Sequence, residues 1–242
     1  MLQYREIFYK KYYSSQLGRG ETDYHKKLNE EILQLTQEIL PWAGTERKSK
    51  VLDIGCGIGS LVKTFKHAGY TDVTGIDLSG EMVEVAHSLG ISEVQQGDLN
   101  DFLVNNKNSF DLITGIDIIE HFTKDELVSL LILVKEALKP NGIAIFRTPN
   151  ADALHASVFA YGDFTHENYL NSSSAKQVML NCGFNEVKIL PGLIFIQNPL
   201  KELVRKVLWF FIKFRIKLEL FATGRSSRNI ILNPNLLIRV KK

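Results

Sequence analysis

Cysteine is scarce in this chain. Two cysteines among 242 residues, Cys56 and Cys182, lie far apart and give neither a disulfide framework nor a metal-ligand spacing. Such usage fits a cytosolic protein. No charge-free apolar run approaches the ~20 residues of a membrane span. Met1–Tyr13 also lacks the apolar core of a secretory signal. There are no internal repeats and no low-complexity segments. Net charge is nearly absent too, but the formal +2 conceals an imbalance. Residues 1–199 hold 18 Lys and Arg against 25 Asp and Glu, a net −7, whereas residues 200–242 hold 11 against 2, a net +9. A body at −7 is a poor footprint for a nucleic acid, and the tail is a different kind of surface.

A hydrophobic content of 45% with 23% charge supports one well-buried α/β unit plus an appendage. Thr22 and Asp23 can cap a helix with apolar positions Leu28, Ile32, Leu35 and Ile39, ending at Pro41. Short apolar runs then alternate with helical patterns. Strands are predicted at 50–54, 72–76, 93–96, 110–115 and 143–147, and helices at 60–68, 80–89 and 124–138. Strands separated by helices imply βαβ units and a parallel sheet covered on both faces. The divisions predicted are a helical cap over residues 1–45, a core over 46–190, a basic amphipathic insertion over 191–228 and a closing strand within 229–242.

The first strand runs into VLDIGCGIGS, residues 51–60. Gly55, Gly57 and Gly59 let the backbone turn and approach a ligand closely, at the carboxyl edge where open α/β sheets bind ligands. A dinucleotide fingerprint would place its third glycine at position 60, where Ser60 stands. Asp53 would also repel a pyrophosphate while suiting a cationic ligand with an ammonium group, such as S-adenosylmethionine. Asp77 ends the second strand, where a carboxylate can accept from both ribose hydroxyls; that acid alone would fit NAD equally well. Asp98 follows the third strand, placed for an adenine amino group, with a turn or helix cap as its structural alternative.

In the order VLDIGCGIGS, GIDLS, QGDL, FDLITGIDIIEHF and LKPNGIAIFRTPN, the chain resembles the class I S-adenosylmethionine-dependent methyltransferases, in the group with a D-x-x-E-H signature. The resemblance covers roughly residues 18 to 190. It implies a Rossmann-like fold with a seven-stranded, mostly parallel sheet whose last strand is antiparallel. It also implies that Asp53 and glycines 55, 57 and 59 hold the methionine portion. Asp77 with Leu78 and Met82 would hold the ribose side and Asp98 and Leu99 the adenine, and Gly115 and Ile116, at the end of the fourth strand, would also bind the cofactor.

The acceptor side rests on Asp117-Ile118-Ile119-Glu120-His121 after the fourth strand and on Tyr161–Glu167 (YGDFTHE) after the fifth. Methyl transfer to oxygen needs alignment, exclusion of water and a base for the hydroxyl proton. An imidazole is the natural base, so His121 and His166, with Asp117 and Asp163, are the catalytic candidates. A second account uses Asp117, Glu120, His121 and His166 as ligands of a divalent Mg or Mn ion. The triplet resembles that of small-RNA 2′-O-methyltransferases and ubiquinone-pathway O-methyltransferases, although Asp117 stands where those families carry glutamate. Either account suits an acceptor with neighbouring hydroxyls.

From Leu200 to Phe221 the apolar residues share one helical face, and most basic residues lie opposite. The pattern fits a helix lying in a membrane interface, at the inner face of the cytoplasmic membrane; a core-packing helix with a solvated basic side is the alternative. Ile230–Leu232 and Leu236–Val240 read as closing strands. LGRGETDYH, YGDFTHE and NPNLLIRVKK resemble bacterial envelope-polysaccharide O-methyltransferases, which implies a sugar or glycolipid hydroxyl as acceptor. A quinone- or phenol-type acceptor, or an RNA 2′-hydroxyl, is the alternative.

Overall fold

In the computed structural model the described residues are Tyr4, Phe8, 24–226 and 230–242. Thr22 and Asp23, and most of the cap expected over residues 1–45, lie outside them. Helix α1 spans Tyr24–Glu38, and a 3₁₀ turn at Leu40–Trp42 carries the chain over Pro41. There follow β1 (Lys50–Ile54), α2 (Ser60–His67), β2 (Asp72–Asp77), α3 (Gly80–Ser88), β3 (Val94–Gln96) and α4 (Leu99–Val104). Next come β4 (Phe110–Ile116), α5 (Lys124–Ala137), β5 (Leu138–Pro149) and α6 (Ala156–Ala160). The chain closes with α7 (Ser172–Asn181), β6 (Glu186–Pro191), α8 (Pro199–Ala222) and β7 (Asn235–Lys241).

The seven strands form one sheet in the order β3-β2-β1-β4-β5-β7-β6, with β7 antiparallel to both neighbours. This is the Rossmann-like, seven-stranded and mostly parallel sheet with an antiparallel last strand that the sequence resemblance implies. Strand order reverses between β1 and β4, and the chain after each of those strands opens onto a crevice there. Side chains alternate along β1, so Leu52 and Ile54 meet α4, α5 and α7 on one face, while Val51 meets α1, α2 and α3 on the other. Both faces are thereby covered, which is why the central strands read as unbroken apolar runs.

Local chemistry fixes the boundaries. The Ser79 hydroxyl caps α3, and Thr123 with Glu126 closes a capping box on α5. A second box, Asn171 with Ser174, starts α7. Alternating Val187 and Ile189 then build β6; neither element is among those predicted individually. Strand β5 begins at Leu138, earlier than predicted, because Leu138 already pairs with Phe110 of β4; the register then shifts, and pairing resumes at Leu112↔Ile143. Ile230–Leu232 is not a strand. The Asn150 side chain donates instead to the Ile231 and Asn233 carbonyls at 2.6 and 2.9 Å, which removes the need for a ladder partner.

Candidate active site

The carboxyl ends of β1 to β5 border one cleft of about 1600 Å³, walled on one side by Lys27, Glu31, Gln34 and Leu35 of α1. Gly55 and Gly57 have φ of +62° and +53°. A Cβ on Gly55 would sit 1.9 Å from Ile118 Cδ1, whereas one on Gly57 would meet nothing within 4 Å. Gly57 thus opens on the cleft, and only glycine combines that φ with a bare approach. Asp53 is 3% exposed and accepts from Thr114 Oγ1 at 2.7 Å. Burial pushes its carboxyl up to about 7, against the Thr114 hydrogen bond and with help from the Asp77 charge.

Asp77 holds the loop together. Its two oxygens accept the Gly57 and Ser79 N–H groups, each at 2.8 Å, and each oxygen retains a second lone pair for a ligand hydroxyl. Burial raises its pKa as well. Asp98 is both things the sequence allowed. Oδ1 caps α4 by accepting from Asn100 and Asp101, and the residue also lines the cleft. Leu78, Met82, Leu99 and Ile116 line it too. Gly59 and Gly115 do not line it. The first is the N-cap of α2 packed near Ile91 and Val94, and the second lies beneath Ile118 and Phe146.

Asp117 lines the cleft but stands apart from the expected metal set. It takes a left-handed φ of +52°, and Arg147 grips both carboxylate oxygens through Nε, at 3.1 Å, and Nη2. Ile116 pairs with Arg147 across the β4–β5 register, so strand order puts the two next to each other. Arg147 Nη1 also reaches Glu38 at 3.0 Å, a carboxylate 3% exposed at the end of α1.

Three of the four proposed ligands do converge. Coordinating atoms of Glu120, His121 and His166 lie within 4.8 Å of one another. His121 Nδ1 lies 2.9 Å from Thr165 Oγ1, whose own proton goes to Asp163 Oδ1 at 2.7 Å. His121 therefore donates from Nδ1 and carries its lone pair on Nε2. Asp163 is linked to the His121 ring through Thr165. His166 Nδ1 donates to the Ala160 carbonyl at 3.0 Å, which sets the same tautomer. Burial, with the His166 charge, lowers the His121 pKa to about 4, so the ring is neutral at pH 7. Glu120 is 2% exposed; Oε2 accepts from Thr148 Oγ1 at 3.0 Å, and Oε1 has no hydrogen-bond partner. Burial, then the Asp117 charge, raises its pKa.

Asn168 fastens this turn to the loop after α6. Its side-chain amide donates to the Ile119 and Phe122 carbonyls at 2.8 and 2.7 Å, while the Glu167 and Asn168 N–H groups donate to Glu120 O. Thr114, Arg147, Thr148, Thr165 and Asn168 were not among the predicted site residues. Each lies in or beside a quoted motif, and Thr114 and Arg147 also pair with Asp53 and Ile116 across the sheet, but the contact each side chain makes has no signal in the sequence.

A methyltransferase domain model matches residues 24–189, most of the chain and all the cleft-forming elements. The chain belongs to this methyltransferase family. A curated relative named ubiquinone biosynthesis O-methyltransferase, from Actinobacillus pleuropneumoniae, is 38% identical over 110 residues, covering 42% of this chain and 46% of that one. The chain thus spans about half the length of that relative. A protein of the same name from Vibrio atlanticus is 29% identical over 172 residues, covering 64% and 70%. Among solved structures, a SAM dependent methyltransferase from Archaeoglobus fulgidus superposes with a TM-score of 0.67 at 22% identity, covering 99% and 100%. For this methyltransferase, no helix among the described residues is long and apolar enough to cross a membrane.

Proposed function

We propose that the chain is an S-adenosylmethionine-dependent O-methyltransferase whose acceptor is a small phenol- or quinone-type ring bearing neighbouring hydroxyls. The observation that carries this is Glu120 Oε1, buried and without a partner, beside two imidazoles whose Nδ1 atoms are both committed. A second hydrogen bond fixing each imidazole is what metal-ligating histidines require, and an orphaned carboxylate oxygen is what a cation would satisfy. The donor set of two nitrogens and one carboxylate fits a divalent ion held by Glu120, His121 and His166, with Asp117 outside it. Such an ion would lower the pKa of a bound hydroxyl and favour an acceptor with two oxygens side by side.

The chain's own residues supply the rest. Asp53 balances an ammonium group on the donor, and Asp77 accepts from vicinal hydroxyls. The O–CH₃ bond forms as the S–CH₃ bond breaks, and the hydroxyl proton must leave. With an ion held there, His121 Nε2 would be a ligand and the acidified hydroxyl would release its proton to solvent; without one, His121, neutral at pH 7, can take that proton on Nε2 as the positively charged sulfonium becomes a neutral thioether. On the same loop as His166, Phe164 stacks on Phe8 at 5.4 Å and Tyr161 packs on Tyr169 at 4.9 Å, an aromatic cluster beside the histidines. The names of the curated relatives support the same acceptor class over a glycan hydroxyl.

Calorimetric titration with Mn²⁺ tests the site without turnover: the wild type should bind one ion, and His166→Ala should bind it at least tenfold more weakly. Methyl transfer is then assayed on catechols, monophenols and nucleotide sugars, with and without chelator. Turnover restricted to nucleotide sugars would overturn the acceptor class. Unimpaired turnover under chelation would remove the metal and leave His121 or His166 as the unaided base.

A further inference from the structure

Helix α8 is the one long element left unexplained by the site. It contains 24 residues, none of them buried, although it is rich in phenylalanine and leucine. Its starting point is well made: Asn198 caps it through Leu200 and Lys201 N–H groups at 3.1 Å, and Pro199 occupies the first turn. Exposure around the helix is uneven. The half-buried positions are Glu202, Arg205, Trp209, Ile212, Ile216 and Leu220, which recur every three or four residues and so form a single stripe.

The opposite arc is apolar and open. At 100° per residue, Phe210, Leu203, Phe221, Phe214, Val207 and Phe211 fall within a 100° sector that contains no charged side chain. Phe210, Phe211, Phe214 and Phe221 are 62%, 61%, 55% and 82% exposed. Lys206, Lys213 and Lys217 border this arc on one side and Arg215 on the other. Glu202 is taken by Arg205 at 2.5 Å and Glu219 by Arg215 at 3.1 Å, which leaves Lys213 and Lys217 with no ion pair among the described residues.

We propose that α8 docks the protein on an anionic lipid bilayer, its phenylalanine arc lying in the interface and its bordering lysines at the headgroups. A wide aromatic arc edged by lysine is the arrangement an interfacial helix needs, since the lysine stems reach up to phosphate while the rings sink below it. A second copy of the chain is disfavoured by charge, because two such faces would bring like-charged lysine borders together. A nucleic acid or acidic peptide would use the lysines and leave the arc in water. The segment leading into α8 is tied to the wall of the cleft: six residues before the helix, the Leu193 N–H donates to Glu38 at 2.7 Å, and Glu38 holds the cleft-lining Arg147. Docking therefore holds the catalytic cleft near the membrane surface, within reach of an acceptor with a lipid tail.

Flotation with vesicles of phosphatidylcholine alone or with 30% phosphatidylglycerol tests this on the full-length protein. Anionic vesicles should capture it at low salt, with recovery falling severalfold but not to zero at high salt, because the apolar share of binding resists screening. Lys206→Ala/Lys213→Ala/Lys217→Ala, a change confined to exposed side chains, should lower recovery at least fivefold. Phe210→Glu/Phe214→Glu should abolish it, with S-adenosylhomocysteine affinity unchanged as the check on folding. Wild type remaining unbound to anionic vesicles at low salt would overturn the proposal. So would light scattering that finds a dimer which those phenylalanine changes dissociate, since the arc would then be an interface between copies.

Discussion

Asp53 carries the plainest pH signature in the molecule. Its carboxyl is pushed up to about 7 by burial, so the folded state holds a proton more tightly than the unfolded chain does. This group therefore costs the unliganded protein stability as pH rises from the ordinary carboxyl range to about 7, with no further loss above. A cationic donor reverses the preference, because it needs the ionised form. Below pH 7 the affinity for S-adenosylhomocysteine should fall toward a limit of about tenfold per pH unit, and Asp53→Asn should flatten the profile while weakening binding at pH 8. Calorimetry from pH 5.5 to 8 checks this, and a wild-type profile as flat as the variant's would exclude Asp53 from the ammonium site. Asp77 responds differently, since it also ties Gly57 to Ser79. Asp77→Ala should lose most of the ligand-induced rise in melting temperature, with the lost hydrogen bonds worth about 1.5–3 kcal/mol, and should lower the unliganded melting temperature as well.

Elements meet at Arg147, which joins the end of β4, the end of β5 and the last turn of α1. The Arg147 side chain is 12% exposed and its partner Glu38 2%, so removing the guanidinium leaves a buried carboxylate without its countercharge. Arg147→Met should cost about 3–5 kcal/mol in urea unfolding, and the double change Arg147→Met/Glu38→Leu should recover most of it, because the stranded charge is then gone. An additive pair of effects would show the contact contributes nothing. This junction also marks the limit of what could be read in advance. The strands and first helices were legible because each carries its own period, and the acids at successive strand ends follow from that alternation. Asp117 and Arg147, 30 residues apart, become neighbours only through the β4–β5 pairing, so the triplet misled about which of its acids faces the histidines. The Thr165 and Asn168 contacts were equally invisible, since they depend on how an irregular loop folds back over the 119–121 turn. Ile230–Leu232 had the composition of a strand, but the Asn150 side chain took its carbonyls.

At the scale of the whole molecule, the C-terminal segment divides into a part the core needs and a part it does not. Strand β7 lies between β5 and β6, pairing from Ile143↔Lys241 to Pro149↔Asn235 on one side and from Glu186↔Lys241 on the other. The sheet is therefore completed by the last residues of the chain, and these contacts are distant in sequence, which makes them late and costly to form. Leu236, Ile238 and Val240 belong to one core cluster and Leu237 to the other, so deleting 235–242 removes packing from both faces and should abolish folding. Helix α8 is the converse case. It is inserted between β6 and β7, whose joined ends already meet where the Gly192 N–H donates to Asn235 O at 2.8 Å and Asn233 Nδ2 to Gly192 O at 2.8 Å. No residue of α8 is buried, so replacing 198–226 with a flexible Gly-Ser linker of about ten residues, which spans roughly 15–20 Å, should leave the core intact. The excised protein should unfold cooperatively within about 1 kcal/mol of wild type and bind S-adenosylhomocysteine with the same affinity. Its recovery with anionic vesicles should be lost. A drop of several kcal/mol would mean that the half-buried stripe of Trp209, Ile212 and Ile216 is structural. The helix would then be part of the fold and not an appendage to it.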